Sequence, residues 1–171
     1  MESDLSGTKA ADKNIANKEP GRTAGSSVAL WPSLMACHNL ISGEIRLRLR
    51  RKYSLTLPRY ELMAQLNAQE EGLSMGELSR RLMVSNGNIT GITDRLVSED
   101  LVVRYSLPSD RRTHYVKLTP KGQEILQAIS KSYNEWLEEF LEGIGPDQAG
   151  ELDRLLRLLR HSVNTRINLA P

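Results

Sequence analysis

The segment between Leu73 and Pro120 constrains the fold most, because two short helical patterns, a turn and two extended runs follow one another in it without interruption. Ser74 and Glu77 have the spacing of a capping box, in which each side chain accepts a hydrogen bond from the other residue's backbone amide. We therefore predict a first helix that begins at Ser74, and a second helix whose N-cap is Ser85.

The second helix has one apolar face and one face that is unusually bare. Ile89, Ile92 and Leu96 are spaced three and four apart and form the predicted buried stripe. The opposite face carries Gly87 and Gly91, and each glycine costs a helix interior about 1 kcal/mol relative to alanine. Two glycines on one face indicate that a partner approaches the backbone closely, and the major groove of DNA is such a partner. The candidate DNA-reading residues of this helix are Ser85, Asn86, Gly87, Asn88, Thr90, Gly91 and Arg95.

Two extended runs follow this helix. Residues 101–106 and 114–118 are predicted strands, and the turn-rich residues between them form the tip of a hairpin. A hairpin directly after a DNA-reading helix is typical of a wing, whose arginines can enter a narrow minor groove. Thr119 and Pro120 then fit the N-cap and the first position of a further helix. The candidate wing residues are Asp110, Arg111 and Arg112.

This ordered set of motifs resembles the MarR family of winged helix-turn-helix transcription regulators. The resemblance implies a mainly α fold with a small β-wing, in which a winged helix-turn-helix is joined to a helical dimerisation region. It extends less specifically from about residue 30 to about residue 166. The stretches that carry it are 78–84, 94–97 with 101–102, 110–112 and 116–122.

The same resemblance implies roles for the candidate residues. Asn86, Asn88 and Thr90 would read bases in the major groove. Arg95 would support the surface that these residues form, and Asp110 would orient a wing arginine. Arg111 and Arg112 are the arginines expected to engage the minor groove or its phosphates.

The remaining sequence divides into an arm and two helical regions. Residues 1–28 contain few large apolar side chains, so we expect a disordered N-terminal arm. Residues 29–56 and 121–168 form the predicted dimerisation region, and residues 57–120 form the winged helix-turn-helix domain. Residues 46–50 also alternate as a strand would, but the helical stripe before them favours a helix. The helical regions have more apolar face than the winged domain can cover, which predicts a homodimer on an inverted-repeat operator.

Charge is distributed unevenly along a chain whose formal net charge is only +2. Between Glu44 and Arg59 six basic residues accompany one acidic residue, whereas seven acidic residues between Glu135 and Asp153 have no basic neighbour. This pattern suggests a basic end that faces phosphate and an acidic end that faces water or a partner. Both stretches are alternatively solvated helix faces.

Other classes of protein are not indicated. The three histidines lie in separate predicted elements, no glycine-rich phosphate loop precedes a helix, and no nucleophile motif occurs, so we expect neither an enzyme nor a metal or cofactor site. The single cysteine, Cys37, cannot form an internal disulfide. Without a signal-peptide pattern or a membrane span, we expect a cytoplasmic protein.

Members of the resembled family are mostly repressors released by a small molecule or an oxidant. The string from Ser85 to Gly91 resembles that of regulators of aromatic-acid breakdown, some of which respond to hydroxycinnamoyl-type coenzyme A thioesters. An anionic aromatic or acyl-CoA effector is therefore expected, and arginines from residues 46–52 could pair with its phosphates. The candidate effector residues are Trp31, His38, Ser42, Arg46, Tyr53, Arg59, Tyr60 and Met63. Alternatively, each of them is a core residue, a residue of the dimer interface or a solvated charge.

Two alternatives remain open at the level of sequence. Oxidant sensing would operate through Cys37, but this residue lies within an apolar stripe and fits core packing better. A winged helix used only for protein contacts would predict that Arg112→Ala leaves function intact. A DNA regulator would bind promoter DNA with a steep salt dependence and would lose this binding in Arg112→Ala. Neither an enzyme nor a protein-interaction module predicts that result.

Overall fold

The computed structural model describes residues 27–107 and 110–168. Within these residues the chain forms six helices and three strands, which is the mainly α fold with a small β-wing that the sequence predicts. The chain divides into two compact units, Met1–His38 and Asn39–Pro171. The predicted arm, residues 1–28, lies outside the described residues except for its last two, which begin the first helix. The elements in chain order are α1 (Ser27–Tyr53), α2 (Leu57–Asn67), β1 (Leu73–Ser74), α3 (Met75–Leu82), α4 (Asn86–Ser98), β2 (Val102–Leu107), β3 (Asp110–Leu118), α5 (Pro120–Leu141) and α6 (Pro146–Asn168).

Side-chain caps fix the beginnings of three helices where the sequence predicts them. Ser74 Oγ accepts a hydrogen bond from the Glu77 amide at 3.2 Å and begins α3. Ser85 Oγ accepts from the Asn88 amide at 3.3 Å and begins α4. Thr119 caps α5 in the same way. The Glu77 carboxylate does not have its predicted capping-box role. It accepts hydrogen bonds from Arg81, one turn later in α3.

The three strands form an antiparallel sheet in the order β1-β3-β2. The hairpin has longer arms than predicted, since β2 extends to Leu107 and pairs with Asp110 at the start of β3. Strand β1 is not predicted, because two residues carry no periodicity. It pairs with β3 directly after Gly72, whose φ of +72° and close approach to the Val116 carbonyl exclude a side chain.

One hydrophobic core joins α2, α3, α4, the sheet, the end of α1 and the start of α5. It is built largely from the predicted apolar stripes, but Ile92 of α4 is only partly buried and Thr93 is fully buried. The Thr93 hydroxyl is satisfied by the Ile89 carbonyl oxygen at 2.7 Å. The core residues with the least exposure are Leu49, Leu62, Met63, Leu78, Ile89, Leu96, Val116, Leu126 and Ile129.

Some predicted apolar stripes are not covered by the chain itself. In the unit Met1–His38, Trp31 is 65% exposed, and Cys37 is exposed as well. The interpretation of Cys37 as a core residue is therefore wrong for this chain, because the helical spacing that suggested burial does not reveal whether a neighbour is present. In α6, the apolar residues at helical spacing, which we call the leucine seam, are also exposed: Leu152, Leu155, Leu156 and Val163.

The basic and acidic stretches meet rather than occupying opposite ends. Arg48 of α1 forms an ion pair with Glu139 of α5, with Nη1 2.6 Å from Oε2, and its guanidinium lies 4.7 Å from the Phe140 ring centroid. Glu44 pairs with the same arginine from one turn earlier in α1. This arrangement joins the end of α1 to the second half of α5.

Two properties of the described residues bear on function. None of their helices has the length and apolar character that crossing a bilayer requires. Within the same residues, no cluster of histidine, cysteine and carboxylate side chains has the composition of a metal site.

Candidate nucleic-acid interface

The bare face of α4 lies fully in solvent. Asn86, Asn88 and Thr90 are exposed, as are both glycines of this face. A Cβ atom added at Gly87 or Gly91 would meet no other atom within 4 Å. The fold itself therefore does not require glycine at either position. The open space at both positions leaves room for a molecule outside the chain to approach the backbone.

Local hydrogen bonds decide which polar groups of α4 remain available. Ser85 Oγ is engaged as the N-cap acceptor. Thr90 Oγ1 donates to the Asn86 carbonyl oxygen at 2.8 Å, so its methyl group and its acceptor lone pairs are the parts that can face a partner. The helix therefore offers two amides and one methyl group along its first turns, which suits contacts to base edges.

Arg104 of β2 ties the wing to α4. Its Nη1 forms an ion pair with the Asp94 carboxylate, and its Nη2 donates to the Thr90 carbonyl oxygen at 3.3 Å. The register explains this contact, because Arg104 lies opposite the buried Val116 and therefore on the face of the sheet that packs on the helices. Arg104 was not predicted from the sequence as a functional residue. The signal was a charged residue at an inward position of an alternating strand.

The end of α4 is held by a second set of charges. Arg95 Nε lies 2.9 Å from Glu99 Oε1, and the other carboxylate oxygen of Glu99 pairs with Arg59 of α2. Lys121 Nζ donates to the Glu99 carbonyl oxygen at 2.7 Å. Glu99 was not singled out from the sequence because a lone acidic residue at a helix end carries no motif.

The wing lies beside the same helix. His114 of β3 faces Ser106 of β2, with Nδ1 3.1 Å from the serine Oγ. A cleft of about 470 Å³ separates α4 from the wing and is lined by Met75, Thr90, Arg104 and His114. Of the predicted wing residues, Asp110 opens β3, Arg111 follows it in the strand, and Arg112 is exposed.

The candidate effector residues have different environments. Tyr60 stacks on Tyr133 at 4.7 Å between ring centroids and is a core residue, as is Met63. The pKa of Tyr133 is raised, mainly because its hydroxyl is partly buried and secondly because Tyr60 lies beside it. Arg59 is buried and paired with Glu99, so its guanidinium is engaged within the fold rather than open to a ligand. Ser42 is buried, and among the described residues its hydroxyl has no hydrogen-bond partner.

Tyr53 is the candidate effector residue that lies in a polar cluster. Its hydroxyl lies 2.8 Å from Ser132 Oγ, which also accepts from Lys52 Nζ at 2.8 Å. The Trp136 ring lies beside this cluster, with its centroid 6.4 Å from that of Tyr53. Arg46 is exposed on α1. Trp31 and His38 belong to the unit Met1–His38, where both are exposed.

Comparison with known proteins identifies the family. The family model described as MarR family matches residues 55–114 of the chain. The crystal structure of a MarR family transcriptional regulator from Silicibacter pomeroyi is 32% identical in sequence, covers 80% of this chain and 94% of its own, and superposes with a TM-score of 0.69. The chain belongs to the MarR family.

Two further similar proteins are informative. A MarR family transcriptional regulator from Streptomyces coelicolor, solved in complex with DNA, is 22% identical, covers 85% of this chain and 92% of its own, and has a TM-score of 0.73, which shows a shared fold. The HTH-type transcriptional repressor IacR of Pseudomonas putida is 27% identical over 118 residues, which are 69% of this chain and 70% of that protein. As a member of the MarR family, the chain is a DNA-binding transcriptional regulator and not an enzyme.

Proposed function

We propose that this MarR-family chain is a homodimeric repressor that reads an inverted-repeat operator with the bare face of α4 and with its wing. The observation that carries the proposal is the pair of exposed glycines, Gly87 and Gly91, around which the fold leaves open space. A helix that presents two amides and a threonine methyl group beside such glycines can lie close to base edges in a major groove.

Each candidate residue has a role in this proposal. Asn86, Asn88 and Thr90 contact bases, while Ser85 fixes the start of the helix through its cap. Arg95 supports the reading surface that these residues form. In the wing, Arg111 and Arg112 enter the minor groove or bind its phosphates, and Asp110 orients a wing arginine.

The dimer is proposed from the uncovered helical faces. Residues 29–56 and 121–168 form the dimerisation region, and the exposed leucine seam of α6 supplies apolar surface that a second copy would cover. Two-fold symmetry then presents two copies of the winged domain, residues 57–120, to half-sites about 34–36 Å apart. Repression is the proposed output, as in the name of the Pseudomonas putida relative.

The proposed effector is an anionic aromatic acid or its coenzyme A thioester. The specific observation in its favour is the cluster of Lys52, Tyr53 and Ser132 beside Trp136, since an ammonium and two hydroxyls suit a carboxylate or phosphate, and the indole suits an aromatic ring. Effector binding would favour a spacing of the two wings that no longer matches the half-sites. In a thermal-shift series, stabilisation by either ligand class should rise with concentration and be lost in Lys52→Ala. No stabilisation by either class would exclude this effector proposal.

The DNA-binding proposal is tested by fluorescence anisotropy with the palindromic duplex from upstream of the chain's own gene and a scrambled duplex. Wild-type protein should prefer the palindrome, and Arg112→Ala should weaken binding and lower the salt slope by about one. Lys131→Ala, which removes an exposed cation from α5, is the matched control and should leave both quantities unchanged. Equal binding of the two duplexes by wild-type protein would contradict sequence-specific regulation.

A further inference from the structure

Glu99, directly after α4, receives an arginine at each carboxylate oxygen. Arg95, one turn earlier in α4, places its Nε 2.9 Å from Oε1. Arg59 of α2 pairs with Oε2 through its Nη2. The Glu99 carboxylate thus joins α4 to α2. It is paired with two arginines, whereas one would be enough to neutralise its charge.

The two arginines differ in their exposure to solvent. The Arg59 side chain is only 9% exposed, whereas that of Arg95 is 69% exposed. A buried guanidinium that loses its carboxylate leaves an uncompensated charge in a poorly solvated place, so Arg59 remains with Glu99. An exposed arginine can exchange its carboxylate for another anion at little cost, because water solvates it throughout.

Arg95 is also placed to meet DNA. It lies seven residues after Asn88, and residues seven apart in an α-helix lie on the same face. A cation at this position, beyond the residues proposed to read bases, is suited to a phosphate at the edge of the groove.

We propose that Arg59 is a positioning residue for DNA binding, because it keeps Glu99 neutralised while Arg95 leaves that carboxylate for a backbone phosphate. This inference rests on the proposed DNA binding and deepens it. Without Arg59, Glu99 has Arg95 as its remaining arginine, and the carboxylate competes with the phosphate for it. Without Glu99, Arg95 is free for DNA whether or not Arg59 is present.

The proposal predicts effects of opposite sign for the two partners of one ion pair. Arg59→Gln should weaken binding to DNA roughly three- to tenfold and lower the salt slope by about one. Glu99→Gln should tighten binding about threefold, since it frees Arg95 and removes a negative charge near phosphate. The double variant should behave as Glu99→Gln does. In an Arg95→Gln background, Arg59→Gln should have no further effect.

The experiment uses the full chain and a random-sequence duplex three helical turns long, because a phosphate contact does not depend on base sequence. Binding is measured by anisotropy over a range of salt concentrations. Glu151→Gln, which removes a carboxylate paired with Arg154 on α6, is the matched control and should change neither affinity nor slope. Melting temperatures are recorded for every variant. A purely structural role predicts that Arg59→Gln and Glu99→Gln both weaken binding, in step with their loss of thermal stability, and that result would overturn the proposal.

Two further outcomes separate this inference from the proposed function. If wild-type protein binds the duplex but Arg95→Gln leaves the salt slope unchanged, the inference fails while DNA binding stands. If wild-type protein binds no duplex, the proposed function itself fails. Should Arg59→Gln not fold, Arg59→Lys keeps the charge and is expected to bind as wild type does, and weakening by Glu99→Gln still overturns the proposal.

Discussion

The guanidinium of Arg104 in β2 forms an ion pair with the Asp94 carboxylate of α4. Its other terminal nitrogen donates a hydrogen bond to the Thr90 carbonyl oxygen. This contact joins the wing to the helix that carries the proposed base-reading residues. Because Thr90 itself is one of those residues, the wing strand directly influences the geometry of the reading face. The helix and the wing are thereby held as one reading surface.

Replacing Arg104 should affect DNA binding more than folding. The Arg104 side chain is 31% exposed, so we expect Arg104→Gln to lower the free energy of unfolding by about 1 kcal/mol. Operator affinity should fall about tenfold, because the wing loses its fixed relation to α4. Urea denaturation and anisotropy measure the two quantities. Asp94→Asn should have a similar effect, and additive losses in the double variant would show that the pair does not act as a unit.

Replacing Gly91 with alanine should raise the stability of the fold but weaken DNA binding. Gly91→Ala should raise the free energy of unfolding by up to about 1 kcal/mol, because alanine favours a helix and its Cβ meets nothing within 4 Å. The same methyl group should weaken operator binding about tenfold by keeping DNA away from the backbone. Gly150→Ala on α6 meets equally open space and is the control for stability without an effect on DNA. Unchanged operator affinity in Gly91→Ala would contradict close approach at this face.

Gly122 is required by the packing of α5 against the backbone of Leu101. A Cβ at this position would lie 2.0 Å from the Leu101 carbonyl oxygen, which is backbone and cannot move away cheaply. Gly122→Ala should therefore destabilise the fold by about 3 kcal/mol or more, measured by urea denaturation. Gly76→Ala in α3 meets no atom within 4 Å and serves as the control. A melting temperature like that of wild type would show that α5 can shift away from the strand.

The contact between Arg48 and Glu139 should make stability depend on acidic pH. Hydrogen bonds from Arg48 lower the pKa of the Glu139 carboxyl below its ordinary value of 4.5. A carboxyl whose pKa is lower in the folded than in the unfolded state stabilises the fold above the unfolded-state value, and this contribution is lost as pH falls through the folded-state value. Wild-type protein should lose more stability than Glu139→Gln on acidification below pH 4.5, as followed by Trp136 fluorescence in a Trp31→Phe background. Parallel losses would assign the acid sensitivity to other groups.

The seam of α6 should control the proposed association of two chains. Leu155 is 48% exposed within the single chain, so Leu155→Glu removes little packing inside it but places a charge in the proposed interface. Sedimentation velocity should show a dimer for wild type and a monomer for the variant. Asn164→Glu adds the same charge to an exposed polar position of α6 and should remain dimeric. A monomeric wild-type protein would contradict the dimer.

Much of this architecture follows from local patterns. The caps at Ser74, Ser85 and Thr119 set helix starts that the structure reproduces, because a cap depends on a few neighbouring residues and on little else. The bare face of α4 is likewise evident from the spacing of its glycines. Cys37 shows the limit, since a helical stripe predicts which side of a helix is apolar but not what covers it.

The sequence alone therefore determined the order of the helices and of the wing hairpin, although not the short strand β1, because these elements depend on interactions between residues close together in the chain. Only the tertiary structure decided three ion pairs between distant residues: Arg59 with Glu99, Arg104 with Asp94 and Arg48 with Glu139. Ion pairs between distant residues depend on strand register and on helix packing. Neither leaves a period or a motif in the sequence, so a charged side chain reveals its partner only once the backbone has been folded.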